Sequence, residues 1–167
     1  KSLMGHAGDE TELDMSGKNL GVVGAILLAP EIVANDALTS LDMSKNKIGG
    51  YKSSKDAMSA LAAALQANTV LKELNLASND IRGDEAKILA DGLSANGAMV
   101  SVNVLNNDIG AEQARILATI LKEHATLKTL CGNRGDETEL DMSGKNLGAD
   151  GAITLAPEIV ANDALTS

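Results

Sequence analysis

Aromatic side chains are almost missing from this sequence: it has no Trp, no Phe and a single Tyr, Tyr51. Large irregular cores usually draw on aromatic rings for their buried area. Hydrophobic residues still make up 44% of the 167 residues, so the chain is not a disordered tail. Its core must be built from Leu, Ile, Val, Met and Ala. Such uniform aliphatic side chains suit thin repeating layers. Cysteine occurs once, at Cys131, which excludes an internal disulfide and fits a reducing compartment. No apolar run approaches the roughly 20 residues needed to cross a bilayer. Lys1 to Gly8 lacks the apolar stretch of a signal peptide, so a cytoplasmic location is expected. Positive charge is also short: 14 Lys and Arg against 23 Asp and Glu leave a net charge of −9. Nucleic acid and anionic membranes call for clustered Lys and Arg and are not expected partners. A basic protein surface is.

What the sequence does have is self-similarity. The stretches LDMSKNKIG, LNLASNDIRG and VNVLNNDIG begin at Leu41, Leu74 and Val102. Each is followed by a helix-like segment that ends in Asn or His. The first core residues fall at Leu13, Leu41, Leu74, Val102, Leu130 and Leu140. The spacing is 28 residues (41 − 13, 102 − 74, 130 − 102), with one of 33 (74 − 41) that absorbs about five extra residues around Tyr51 and one of 10 (140 − 130). A longer repeat overlies the short one. Lys1 to Ser40 matches Lys128 to Ser167 at a constant offset of 127, and GDETELDMSGKNLG recurs unchanged within it. Internal periods of this length signal a repeat architecture. The organisation read from it is one domain over residues 1–167, with an irregular unit at 1–40, three regular repeats at 41–127, and a second irregular unit at 128–167 that duplicates the first.

Each regular unit reads as a strand, a turn and a helix. Leu74 and Leu76 alternate with Glu73, Asn75 and Ala77, the period of a strand with one buried face. Ala86, Leu89, Ala90 and Leu93 recur at three- and four-residue steps and make one apolar stripe. Ser54, Asp84 and Asp150 are candidate helix starts. Pro30 and Pro157 should bend their helices or delay their start. Neither element can bury its apolar face alone, so units must stack. The fold class is α/β: a right-handed solenoid with parallel strands on the concave face and helices on the convex face.

The pattern LxLxxNxIG followed by a helix stands here as Leu41, Met43, Asn46, Ile48 and Gly49. It recurs as Leu74, Leu76, Asn79, Ile81 and, one residue late, Gly83, and again as Val102, Val104, Asn107, Ile109 and Gly110. It resembles the leucine-rich repeats of the ribonuclease-inhibitor type, and is similar to the repeats of the Ran GTPase-activating protein and NOD-like receptors. The resemblance implies a protein-binding scaffold, or alternatively a regulator of an enzyme, as inhibitor or GTPase activator. The chemistry of the motif fits. After the strand the backbone turns inward with polar groups facing the core, and a buried Asn offers both donors and an acceptor. Asn46, Asn79 and Asn107 are therefore expected to form a structural ladder. Lys18 and Lys145 hold that position in the duplicated units, where Lys has no acceptor to offer. The solenoid is expected to be irregular there.

Catalytic chemistry finds little support. His6 aligns with Asn133, and His124 sits at a helix end where a cation meets the dipole favourably. Cys131 aligns with Met4 and reads as a small buried hydrophobe. Gly17–Lys18 and Gly144–Lys145 lack the rest of a phosphate loop. Asp9–Glu10 and Asp136–Glu137 lack alternating oxygen ligands for calcium. No enzyme activity, cofactor or metal is expected. Binding is instead expected on the concave strand positions Glu12, Asp14, Ser40, Asp42, Glu73, Asn75, Ser101, Asn103, Leu105, Glu139 and Asp141. The partner would be a basic protein, bound in a salt-sensitive way. The solenoid edges, near Leu3 and Leu165, are a second surface suited to self-association.

Overall fold

The computed structural model describes residues 9–166, so His6, Met4 and Leu3 lie outside the described residues. Short strands and longer helices alternate along the chain: β1 (Glu12–Asp14), α1 (Gly21–Ala34), β2 (Ser40–Asp42), α2 (Ser54–Ala67), β3 (Glu73–Asn75), α3 (Gly83–Ala95), β4 (Ser101–Asn103), α4 (Gly110–Glu123) and α5 (Gly148–Ala161). The strands form one parallel sheet in sequence order, β1-β2-β3-β4. Register follows the repeat: Leu13 lies beside Leu41, Leu41 beside Leu74, and Leu74 beside Val102. Consecutive helices pack side by side behind the sheet.

The core runs as a spine between the layers. Leu41, Met43 and Ile48 of one unit are buried against Leu74, Leu76 and Ile81 of the next, then Val102, Val104 and Ile109. Each helix adds its own stripe, such as Met58, Leu61 and Leu65 in α2. Burying one such side chain contributes about 1.5–3 kcal/mol. No unit could keep these residues dry alone, so the stacking itself stabilises each turn.

Close stacking also fixes glycine. A Cβ at Gly49 would lie 2.4 Å from the Asp80 carbonyl oxygen. That obstacle is backbone and cannot rotate away. Gly49→Ala should therefore force neighbouring turns apart and cost about 2–3 kcal/mol, as overpacking does. Denaturant unfolding of this variant beside Gly97→Ala, where nothing lies within 4 Å, checks it. Equal midpoints for the two would refute the reading.

Residues 9–40 of the first duplicated unit stack regularly, where irregularity was expected. Met15, Gly17 and Gly21 donate backbone N–H groups to Asp42, Ser44 and Asn46. Lys18 stands exposed outside the turn. No ladder side chain is needed in this unit, because Asn46 reaches back to the Met15 carbonyl. The two prolines do not delay their helices: α1 starts at Gly21 and α5 at Gly148. Pro30 faces solvent, and so does Ile26 four residues earlier, where water can serve the unpaired carbonyl. Ser54, Asp84 and Asp150 sit inside the first helical turns rather than at the caps; at α3 it is Glu85 that caps, accepting the Arg82 N–H at 2.9 Å. Asp84 and Asp150 keep the favourable place for negative charge near the positive end of the dipole.

The second duplicated unit is the irregular one. Residues around Thr129 and Cys131 take the fifth strand position, but only as isolated bridges: Ser101 with Thr129 parallel, and Asn103 with Cys131 antiparallel. Gly132, at φ +74°, turns the chain sharply beside Asn103. The segment that follows docks through a small separate cluster of Leu105, Cys131 and Leu155, with Leu140, Met142 and Leu147.

Candidate protein-binding face

The concave surface is built by the strand residues that alternate with the spine. Glu12 and Asp14 on β1, Ser40 and Asp42 on β2, Glu73 and Asn75 on β3, and Ser101 and Asn103 on β4 share one side of the sheet. They are linked across strands. The Ser40 hydroxyl donates to the Glu73 carboxylate at 3.1 Å. Asn75 Nδ2 donates to Asp42 at 2.9 Å. Ser40, Asp42, Glu73, Asn75, Ser101, Asn103 and Gly132 line a shallow cleft of about 220 Å³.

Half of these side chains also hold the backbone. Asp14, Asp42, Asn75 and Asn103 each accept the N–H two residues on, from Ser16, Ser44, Ala77 and Leu105. This local turn ends every strand. Asp141 does the same with Ser143. The side-chain and backbone hydrogen bonds from Ser16, with the charge of Lys18, hold the Asp14 carboxyl below the usual carboxylate range. Ser143 and Lys145 do the same for Asp141.

Three of the expected concave residues lie elsewhere. Leu105 is buried in the small C-terminal cluster, because the unit after it folds back over its side chain. Glu139 and Asp141 lie in a segment without a strand assignment. Their counterparts Glu12 and Asp14 pair with Ser40 and Asp42; the counterpart of Ser40 is Ser167, outside the described residues. The concave row is thus carried by β1 to β4.

Behind the strands, the three ladder asparagines close the turns. Asn46 Nδ2 donates to the Met15, Met43 and Ser44 carbonyls. Asn79 Nδ2 reaches Met43, Leu76 and Ala77, and Asn79 Oδ1 accepts the Asn46 N–H at 2.9 Å. Asn107 bonds Leu76, Val104 and Leu105 and accepts the N–H groups of Asn79 and Ile81. The residues beside them, Lys45, Lys47, Ser78, Asp80 and Asn106, carry positive φ.

A second ladder was not foreseen. Asn35, Asn68 and Asn96 at the helix C-termini are buried. Asn68 Nδ2 donates to Ile32 and its Oδ1 accepts from Val70 and Leu71. Asn96 repeats this with Leu65, Ala98 and Met99. His124 takes the next place: Nδ1 accepts the Thr126 and Leu127 N–H groups while Nε2 faces the Asn96 carbonyl. The imidazole takes the place that an asparagine side chain fills in the units before it. The recurrence of Asn, Asn and His after each helix was the available signal.

Glu158 was also missed. It is buried, and its carboxylate accepts from the Thr129 hydroxyl, the Leu130 and Cys131 N–H groups and Asn133 Nδ2. Burial, then the Glu158 charge, pushes the Cys131 thiol far above its ordinary range, which makes it a poor nucleophile. Among the described residues no three His, Cys, Asp or Glu side chains are grouped to hold a metal ion. No described helix is long and apolar enough to cross a membrane.

This geometry defines a class. The chain is an α/β solenoid of stacked strand–helix units, and its residues 35–50 and 67–85 match the family described as Leucine Rich repeat. Solved structures agree on the fold. The leiomodin-1 actin-binding site 2 is similar over 92% of this chain and 83% of that one, with a TM-score of 0.67 and 18% identity. The C-terminal domain of tropomodulin from Caenorhabditis elegans is similar over 92% of this chain and 87% of that one, with a TM-score of 0.59 and 12% identity. No curated protein sequence matches this one.

Proposed function

We propose that this chain is a non-catalytic protein-binding scaffold that engages a basic partner through the acidic row on its concave face. The observation that carries the reading is the cross-strand array Glu12, Asp14, Asp42 and Glu73. It is held on a rigid parallel sheet and, in the Ser40–Glu73 and Asp42–Asn75 pairs, tied to neighbouring strands. Fixed like charges on a preorganised surface steer oppositely charged partners and discriminate against acidic ones. The similar leiomodin-1 structure is an actin-binding site, which supports a binding role for a solenoid of this length and makes actin a partner worth testing.

The test uses a lysine-rich peptide and monomeric actin, each titrated against the whole chain and against Glu12→Lys/Glu73→Lys. These two carboxylates are exposed, so the exchange leaves the spine intact. Peptide affinity should fall about tenfold or more in the variant, and should fall again between low salt and about 0.5 M salt, where the Debye length is only a few ångströms. Affinity indifferent to both changes would overturn the acidic-face reading. Actin binding that tracks the same variant would name the partner.

A further inference from the structure

We infer that this chain associates end to end with further copies of itself, the outer face of α1 in one copy seating on the outer face of α5 in another. The concave row plays no part in this contact. The argument starts from the duplication. Residues 1–40 and 128–167 differ at seven positions, 2, 4, 6, 7, 22, 23 and 27 of the first unit. One sequence is therefore seen in two surroundings. As α1 it packs on α2; as α5 it packs on α4.

The two settings bury overlapping but rotated faces: Gly24 and Leu28 are buried in α1 and their counterparts Gly151 and Leu155 in α5, while the flanking positions differ. In α1, Ala25, Leu28, Ala29 and Ile32 are buried, and the face bearing Val23, Ile26, Leu27 and Pro30 is open. In α5 the open positions are Ala152, Ala156 and Ile159, the counterparts of Ala25, Ala29 and Ile32. Ile32 is 1% exposed, yet Ile159 is 46% exposed. Thr154 is 0% exposed, yet its counterpart Leu27 is 40% exposed. The unit thus owns two docking faces. Positions 25, 29 and 32 are used in α1 and their counterparts left open in α5, while position 27 is left open in α1 and its counterpart is used in α5.

The differing residues point the same way. A face meant for water should be the more polar of the two. The reverse holds: the open face of α1 carries Val23 and Leu27 where α5 carries Asp150 and Thr154. Among the described residues, six of the eight exposed large hydrophobics lie on these two end helices: Val23, Ile26, Leu27, Val33, Ile159 and Val160. Glu31 borders the α1 stripe; the rest of the net charge of −9 resides elsewhere and is screened at moderate salt. Pairing the α1 edge with the α5 edge continues the helix stacking already present at every step of the solenoid. The contact is heterologous and does not close on itself, so it generates chains of copies.

Sedimentation velocity and light scattering on the whole chain test this over a wide concentration range. The wild type should grow in mass with concentration, and more strongly as salt is raised. Val23→Asp/Leu27→Thr, the residues the second unit carries at the same places, should stay folded and monomeric. Ile159→Asp should do likewise. Mixing the two variants should restore dimers and nothing larger, because one competent edge of each kind remains. A wild type that stays monomeric at about millimolar concentration would overturn the inference. So would an Ile159→Asp variant that associates like the wild type, which would mean that α1 meets α1 instead. Salt separates this contact from the acidic face, which weakens with salt while the apolar junction strengthens.

Discussion

Asn79→Ala is expected to remove about 3–5 kcal/mol of stability, a large share of what a domain of this size has. Asn79 is fully buried and sits in the middle of the ladder. Its amide holds three carbonyls, Met43, Leu76 and Ala77, and its oxygen holds the Asn46 N–H. Alanine cannot replace any of these, and no solvent reaches the site. Each orphaned buried group costs about 1–3 kcal/mol, partly relieved by relaxation. The cavity adds to the loss. Asn79→Asp tests the chemistry: its oxygens can keep the Asn46 N–H, but both N–H donors to the three carbonyls go and a charge is buried. Urea unfolding followed by circular dichroism reads both variants. Asn106→Gly, which tolerates the positive φ of this neighbour whose side chain bonds Ser78 at the surface, should change little. An Asn79→Ala midpoint within error of the wild type would show that the turns do not depend on this side chain.

The second large effect is expected at Glu158, with a different reach. Glu158→Ala strips the partner from the Thr129 hydroxyl, the Leu130 and Cys131 N–H groups and Asn133 Nδ2. The cost should be about 2–4 kcal/mol, and it should fall on one unit. The segment after Leu130 is held by the small cluster around Leu105, Cys131 and Leu155 rather than by the main spine. Local opening is cheapest where buried apolar contact is least. The expected signature is a Cys131 thiol, buried in the wild type, that becomes modifiable by a thiol reagent, with faster amide exchange across residues 128–166. The sheet of β1 to β4 should stay protected. Glu158→Gln should lie between, since its amide oxygen can serve the two N–H groups while its NH2 faces other donors. A thiol no more reactive in Glu158→Ala than in the wild type would contradict this role.

The fold was legible in the sequence because its determinants are periodic. Leu41, Leu74 and Val102 announce their shared spine by spacing alone, and Asn46, Asn79 and Asn107 by their offset from it. The helix-end asparagines recur just as regularly, but Asn at a helix end reads as ordinary punctuation until its cross-repeat partners are seen. What spacing could not reveal was context. The two duplicated units look equivalent, so irregularity was assigned to both, yet only one has the Asn46 amide beside it to close its turn. Leu105 occupies a concave position by register, and only the fold-back after Gly132 explains its burial. Glu139 and Asp141 repeat Glu12 and Asp14 letter for letter. Pairing, which depends on a neighbouring strand, decides which of them lies on the sheet.

The reversal at Gly132 has a further bearing on how the molecule behaves when concentrated. By switching from a parallel to an antiparallel bridge beside Asn103, the chain spends the hydrogen-bonding capacity of the β4 margin on itself. A foreign strand finds no ladder to extend at that side, and templated fibre growth from it is blocked.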